Sequence, residues 1–282
     1  MVKVKKVLAQ TYIWLVLLLM YLPVLVLIVF SFTTAKQVGQ WSGFSFGLYK
    51  NLLTSREIWV AVGNTFIIAF TSAFVSVVLG SIGALGSFYS KKKWQSLYDN
   101  VTQIPIVNAE IVMALSLCVM FTFIGTYVFH NEIASYWTLL IGHVVLSIPF
   151  VYISVKPKLQ QMDPSVYEAA LDLGATPMQA LRKVIIPEIM PGVLSGFLLA
   201  ITLSLDDFVI TQFTRGAGLL SGNSQIETIS TYVQSHIAKR PVPPELRALT
   251  TIIFLIVVVA VIIITIRNIH KSKQAKVRKG RD

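Results

Sequence analysis

The sequence predicts an all-α integral membrane protein with six transmembrane helices, and three observations carry that prediction. The composition is too apolar for an ordinary soluble domain, with 55% hydrophobic and 13% charged residues and a mean hydropathy of +0.70. Six runs with few or no charges are each long enough to cross a bilayer. The lysines and arginines collect on one side of those runs.

The first run, 11 to 32, follows Lys3, Lys5 and Lys6. The uncharged stretch 7 to 32 lacks a small-x-small cleavage site, so it reads as a retained anchor rather than a signal peptide. Pro23 should kink it. The remaining runs are 58–88, 101–129, 134–155, 191–213 and 248–266. With the N-terminus inside, the inner segments hold 17 of the 24 Lys and Arg residues, which places both termini in the cytoplasm. The chain thus divides into 1–57 (tail, first span and outside loop), a core of five spans over 58–266 with a cytoplasmic loop at 156–190, and a basic tail 267–282 expected to be disordered. The net charge of +11 is orientation charge that contacts anionic lipid. Nucleic-acid binding is not expected, because no basic patch is interleaved with aromatic platforms.

Two outside loops are sizeable: 36–57, with Trp41, Phe44, Phe46 and Tyr49, and 214–247. In the second, Ile226, Ile229, Val233 and Ile237 recur at helical spacing, predicting a helix on the membrane surface or the top of the protein.

Several chemistries are excluded. Cys118 is the only cysteine, so no internal disulfide forms. His130, His143, His236 and His270 are too scattered for a helical metal site, and no metal or cofactor is expected. Walker, dinucleotide and nucleophile-elbow motifs are absent, so the chain does not read as an enzyme and its energy must come from elsewhere.

Three acids lie inside predicted spans. A carboxylate at the bilayer centre costs about 2.5–3.5 kcal/mol even on the lenient insertion scale, so Glu110, Asp206 and Asp207 must face protein or water. Read as continuous helices, Glu110 lies about 16 Å along from Asp99 and Asp206 about 22 Å from Pro191, two depths of one path. Adjacent Asp206 and Asp207 would be about 100° apart, one facing the path and the other a neighbour. Structural pairing is the competing explanation, but few basic residues within the spans are available to pair with them.

The loop at 156–190 reads as two short helices with a hinge. Asp163 and Pro164 form a start signal, Gly174 a left-handed stop, and Thr176 and Pro177 a second start. The second helix should end near Ile186, because Pro187 and Pro191 cannot donate into a continuing ladder.

Here a family resemblance emerges. Glu168-Ala169-Ala170, Gly174 and Val184-Ile185-Ile186-Pro187 resemble the EAA loop of permease subunits of binding-protein-dependent ABC importers. Val184 and Ile186 stand where Ile and Leu are usual, and both keep apolar bulk. Asn64-Thr65-Phe66, Leu203-Ser204-Leu205-Asp206-Asp207-Phe208 and Pro243-Pro244-Glu245-Leu246-Arg247-Ala248-Leu249 extend the similarity over about residues 45 to 265, which looks most like the second permease subunit of spermidine/putrescine importers. The resemblance implies a type I ABC importer fold in a bacterial cytoplasmic (inner) membrane. It also implies a homologous permease, two cytoplasmic ATPase subunits and an extracytoplasmic substrate-binding protein as partners. The EAA residues Glu168, Ala169, Ala170, Gly174, Val184, Ile186 and Pro187 would couple to the ATPase, while Glu110, Asp206 and Asp207 would line a polyamine pathway. Alternative substrates are thiamine, iron(III) or a phosphonate. Alternatives of another class are a secondary transporter or cation channel using Glu110 and Asp206, and a membrane scaffold, in which these acids would have no purpose.

Overall fold

The computed structural model describes residues 2–35, 39–131, 133–218, 222–239 and 243–279. They form two compact units, one of residues 1–56 with 236–282, the other of residues 57–235.

The first unit holds helices α1 (Val2–Ser31), α2 (Gly47–Thr54) and α12 (Glu245–Lys279). Both α1 and α2 pack on α12. Arg247 at the start of α12 donates to the carbonyl of Ala35 at 3.0 Å. The aromatics between α1 and α2 pack on one another, with Phe32 stacked on Phe44 at 5.5 Å and Phe46 edge-on to Phe44 at 5.2 Å. Helix α1 continues through Pro23. The apolar stretch of α1 has no buried residue within the chain, leaving it to lipid or to another subunit. Helix α12 extends to Lys279, where the sequence led us to expect a disordered tail. Extending an existing helix needs no new nucleus, so a polar segment can follow the span in helical form.

The second unit contains α3 (Arg56–Phe88), α4 (Lys92–Val107), α5 (Glu110–Ile124) with a π-helical turn at Gly125–Phe129, and α6 (Tyr136–Gln161). It continues through α7 (Pro164–Asp172), α8 (Pro177–Ala180), a second π-helical turn at Leu181–Ile185, α9 (Ile186–Asp206) and α10 (Val209–Thr214). A short antiparallel pair, β1 (Ala217–Gly218) with β2 (Gly222–Gln225), precedes α11 (Ile229–Lys239) and is the one departure from an all-helical chain among the described residues.

Helix α6 is the centre of this unit. Its most apolar 18-residue window is 61% buried, against 33% for α3 and 28% for the helix running into α9. Val151 of α6 packs between two glycines: a Cβ on Gly80 of α3 would lie 2.8 Å from the Val151 Cβ, and one on Gly196 of α9 would lie 3.1 Å from its Cα. On α9 the small residues Gly192, Gly196, Ala200 and Ser204 recur every four positions and are all buried. Lipid tails are as apolar as leucine, so helices in a bilayer are held by such close backbone approach rather than by escape from water.

Two of the expected spans are corrected. The run 101–129 is not one helix: it breaks at Asn108 and Ala109, both extended, and the helix long and apolar enough to cross starts at Glu110. The run 191–213 starts earlier and ends earlier, with a helical stretch from Pro177 to Asp206 and a break at Asp207. Neither Pro187 nor Pro191 stops it. A proline ring collides with the carbonyl four residues back, and the wider π-helical turn at Leu181–Ile185 moves that carbonyl aside just before Pro187.

The expected stripe from Ile226 to Ile237 is buried at one end only. Ile226, 2% exposed, packs on Ile68, Tyr136 and Leu139 before α11 begins, whereas Ile237 is 58% exposed.

Candidate functional site

The elbow is built from local signals. Asp163 accepts a hydrogen bond from the Ser165 amide at 2.9 Å and caps α7. That bond holds the Asp163 carboxyl below the usual carboxylate range. Helix α7 ends in a Schellman motif: the amides of Gly174 and Ala175 donate to the carbonyls of Leu171 (2.8 Å) and Ala170 (3.1 Å), and Gly174 has φ +85°. Thr176 and Gln179 then cap α8 reciprocally, amide to side chain in both directions.

Glu168, Ala169, Gly174 and Pro187 are exposed, Ala170, Val184 and Ile186 are half-buried, and the neighbouring Ile185 is fully buried. Ile185 and Ile189 join Val155 and Leu159 of α6 and its C-cap Met162 in one apolar cluster, with Tyr167 and Leu181 packed against it. The elbow is therefore seated on the ends of α6 and α9. Its second arm continues without interruption into the span formed by α9.

The two helix breaks meet at a cavity of about 390 Å³. Pro105, Asn108 and Glu110 come from one break, Asp206, Asp207 and Phe208 from the other, and Leu146 and Phe150 of α6 form a wall. All three acids read from the sequence thus reach one cavity. They do not lie at two depths as expected, because neither predicted helix is continuous and each acid sits at a break. The carboxyls of Glu110, Asp206 and Asp207 lie close enough to act on one another electrostatically. Carboxylates that close repel unless a proton or a cation lies between them. The carbonyl ends of α4 and α9 and the amide ends of α5 and α10 all reach this cavity, so the helix dipoles oppose one another and its negative character rests on the carboxyls. Among the described residues no Lys or Arg lines the cavity. A larger cavity, about 680 Å³, lies beside the π-helical turn of α5.

Asp206 and Asp207 are not helical neighbours 100° apart, because Asp207 is extended at φ −60°, ψ 126°. Asp206 is exposed, whereas Asp207 is 5% exposed. Asp207 restarts the chain as α10, accepting the amides of Ile210 (3.3 Å) and Thr211 (2.8 Å) on its side chain.

Sequence reasoning missed the network behind Asp207. Its donors run in one direction: Ser72 to Ser204 (3.2 Å), Ser204 to Nδ1 of His143 (2.7 Å), Nε2 of His143 to Thr211 (2.9 Å), and Thr211 to Oδ2 of Asp207 (2.8 Å). This assigns His143, which is fully buried, the neutral tautomer protonated on Nε2. Four helices, α3, α9, α6 and α10, share the chain of bonds. A lone histidine in an apolar run carries no periodicity that would have revealed its partners 61 and 68 residues away.

Asn64 and Thr65 have a local function as well. Asn64 donates to the Glu227 carbonyl at 2.9 Å and Thr65 accepts from the Ile229 amide at 2.9 Å, fixing the start of α11. Ser230 then donates to the Asp207 carbonyl at 2.7 Å.

A bundle of long apolar helices with an acidic cavity at two helix breaks is the architecture of a membrane-spanning protein with a polar interior. The chain belongs to the family of binding-protein-dependent transport system inner membrane components, which it matches over residues 76–279. It is 30% identical over 254 residues to a spermidine/putrescine transport system permease protein, PotC, of Haemophilus influenzae, covering 89% of this chain and 93% of that protein. It is 32% identical over 235 residues to the putrescine transport system permease protein PotI of Escherichia coli, covering 83% of this chain and 81% of that one. The fold is shared with the crystal structure of a bacterial ABC transporter involved in importing the acidic polysaccharide alginate: TM-score 0.64, 14% identity, 94% of this chain and 95% of that chain. The protein is therefore a multi-helix inner-membrane component, the permease part of an ABC importer.

Proposed function

We propose that this chain forms the translocation path of a polyamine importer together with a homologous permease, two ATPase subunits on the cytoplasmic side and an extracytoplasmic binding protein. The observation that carries this reading is the convergence of Glu110, Asp206 and Asp207 on one cavity that no Lys or Arg lines among the described residues. A polyamine bears two or three ammonium groups on an apolar chain, and the acids and the walls Leu146, Phe150 and Phe208 suit both parts. A phosphonate would be repelled, since like charges in a partly dehydrated cavity cost more than the ~1 kcal/mol they cost in water at 4 Å. The identity to PotC and PotI supports the same substrate class.

In this reading both termini are cytoplasmic and ATP hydrolysis belongs to the partner subunits. Closure of the ATPase dimer moves the Glu168–Pro187 elbow as a rigid body and turns the spans from inward-open to outward-open. The path holds its cargo weakly, because a tight site would slow release.

Uptake of labelled spermidine, putrescine and a phosphonate by proteoliposomes containing the whole complex tests the proposal. Import of either polyamine with ATP, and no import of the phosphonate, is expected. ATP-dependent import of an anion with no polyamine uptake would overturn the substrate assignment.

A further inference from the structure

Helix α4 is attached at one end and loose at the other. It has no buried residue and packs chiefly on α6. Near its start, Gln95 donates to the carbonyls of Phe88 and Ser90 at the end of α3, both at 2.9 Å. One turn later Asp99 accepts from the ammonium of Lys156 and, at 2.6 Å, from the hydroxyl of Tyr152, both on α6. The Tyr152 hydroxyl also bonds Ser87 of α3 at 2.8 Å. Tyr152 and Ser87 are buried, with Lys156 only 12% exposed through its side chain. Beyond this cluster none of the described hydrogen bonds joins α4 to another element, and its outer face is open, with Val101, Ile104 and Val107 53%, 59% and 86% exposed. It then breaks at Asn108, beside the cavity, and Glu110 opens the next helix.

At ~1.5 Å per residue, Asp99 stands about 12 Å from Val107 along α4, while Lys156 stands about 15 Å from Leu146 of the cavity wall along α6. Two rods of similar length thus run from one polar cluster to the same cavity. On the other side of that cluster, α6 continues to Leu159 and Met162, on which the elbow is seated.

We infer that the Asp99, Lys156, Tyr152 and Ser87 cluster is the joint that makes α4 follow α6, so that movement of the elbow is delivered to Glu110 through the break at Asn108 and Ala109. This rests on the importer reading above. Its physical content is that a helix without buried contacts has only directional bonds to fix its angle. Those bonds persist at neutral pH. Partial burial opposes ionisation of Asp99, but the hydrogen bonds from Lys156 and Tyr152 outweigh it and hold its carboxyl below the usual carboxylate range. Because the folded value is lowered, the stabilisation is present above the unfolded carboxylate value, near 4, and is lost only as pH falls through the folded one. Without the joint, the ATPase would still move the elbow while Glu110 no longer followed.

The test uses the assembled complex in proteoliposomes. Asp99→Asn and Lys156→Met should each raise the ATP hydrolysed per polyamine imported at least fivefold, whereas Asp99→Glu, which keeps the charge, should stay within twofold of the unaltered protein. A cysteine at the break reports the movement directly: since Cys118 is the only native cysteine, Asn108→Cys with Cys118→Ser carries one thiol. Its modification rate should change at least threefold between the nucleotide-free and the ATP and vanadate-trapped states, and Asp99→Asn should abolish that change. If Asp99→Asn keeps both the ratio and the labelling response, or if Asp99→Glu is as defective as Asp99→Asn, the joint is refuted. Absence of polyamine uptake by the unaltered complex would overturn the substrate reading but not the joint, which the labelling response reads independently.

Discussion

Gly192 of α9 and Ser154 of α6 approach so closely that a Cβ on the glycine would lie 2.8 Å from the serine carbonyl oxygen. Backbone cannot yield as a side-chain tip can. We predict that Gly192→Val forces α6 and α9 apart and costs about 1–3 kcal/mol, the usual scale of overpacking. Gly86, with nothing within 4 Å of an added Cβ, is the control: Gly86→Ala should be nearly neutral. Thermal unfolding of both variants in the same detergent decides the point, and equal midpoints would remove close packing as the bond between these helices.

The elbow depends on backbone conformation rather than contact at its hinge. Gly174 has φ +85° and open space around its Cα, so a side chain there is opposed only by the left-handed backbone, about 1–2 kcal/mol for most residues. Gly174→Asn should retain most coupling, and Gly174→Val should cut recovery of the complex with the ATPase by roughly tenfold while the protein remains in the membrane. Co-purification with the ATPase measures it, and undiminished recovery of the Val variant would contradict the lever.

These two sites differ in how far the sequence revealed them. The elbow was legible because Asp163, Gly174 and Thr176 are capping signals whose partners lie within a few residues. The four-residue spacing of Gly192, Gly196, Ala200 and Ser204 is equally local, although the glycines name no partner. What failed were inferences from single breakers. Pro187 and Pro191 read as stops, because a π-helical turn that accommodates a proline has no sequence signature. Asn108 and Ala109 read as helix, because neither residue forbids it and the break takes its place among tertiary contacts around the cavity. The acids were recognised by the cost of burying charge, but their meeting was not, since it requires both breaks at once.

The donor chain through His143 makes a prediction about stability. Removing the imidazole takes the acceptor from the buried Ser204 hydroxyl while Thr211 keeps its bond to Asp207, at about 1–3 kcal/mol for the group left unsatisfied. His143→Leu should lower the unfolding midpoint markedly. His143→Gln, whose amide can both accept and donate, should recover part of the loss. A Leu variant as stable as the native protein would mean that the chain of bonds is incidental.

The three acids should separate by function, and this is the sharpest test of the cavity. Asp206 is exposed to it and no capping bond of its own is seen in the site, whereas Asp207 anchors α10 through the amides of Ile210 and Thr211 as well as lying close to Glu110. We predict that Glu110→Gln and Asp206→Asn slow polyamine uptake by tenfold or more with unchanged thermal stability, since each removes charge without leaving a buried group unbonded. Asp207→Ala should do both, slowing uptake and destabilising the protein by about 1–2 kcal/mol through loss of the cap. Asp207→Asn keeps one accepting oxygen and should fall between. The pattern across the variants carries the information: uptake tracking charge and stability tracking the cap would assign the cavity to cation passage and Asp207 to both duties. Native uptake rates in Glu110→Gln and Asp206→Asn would instead make these acids structural, and would leave the permease without an identified polyamine path.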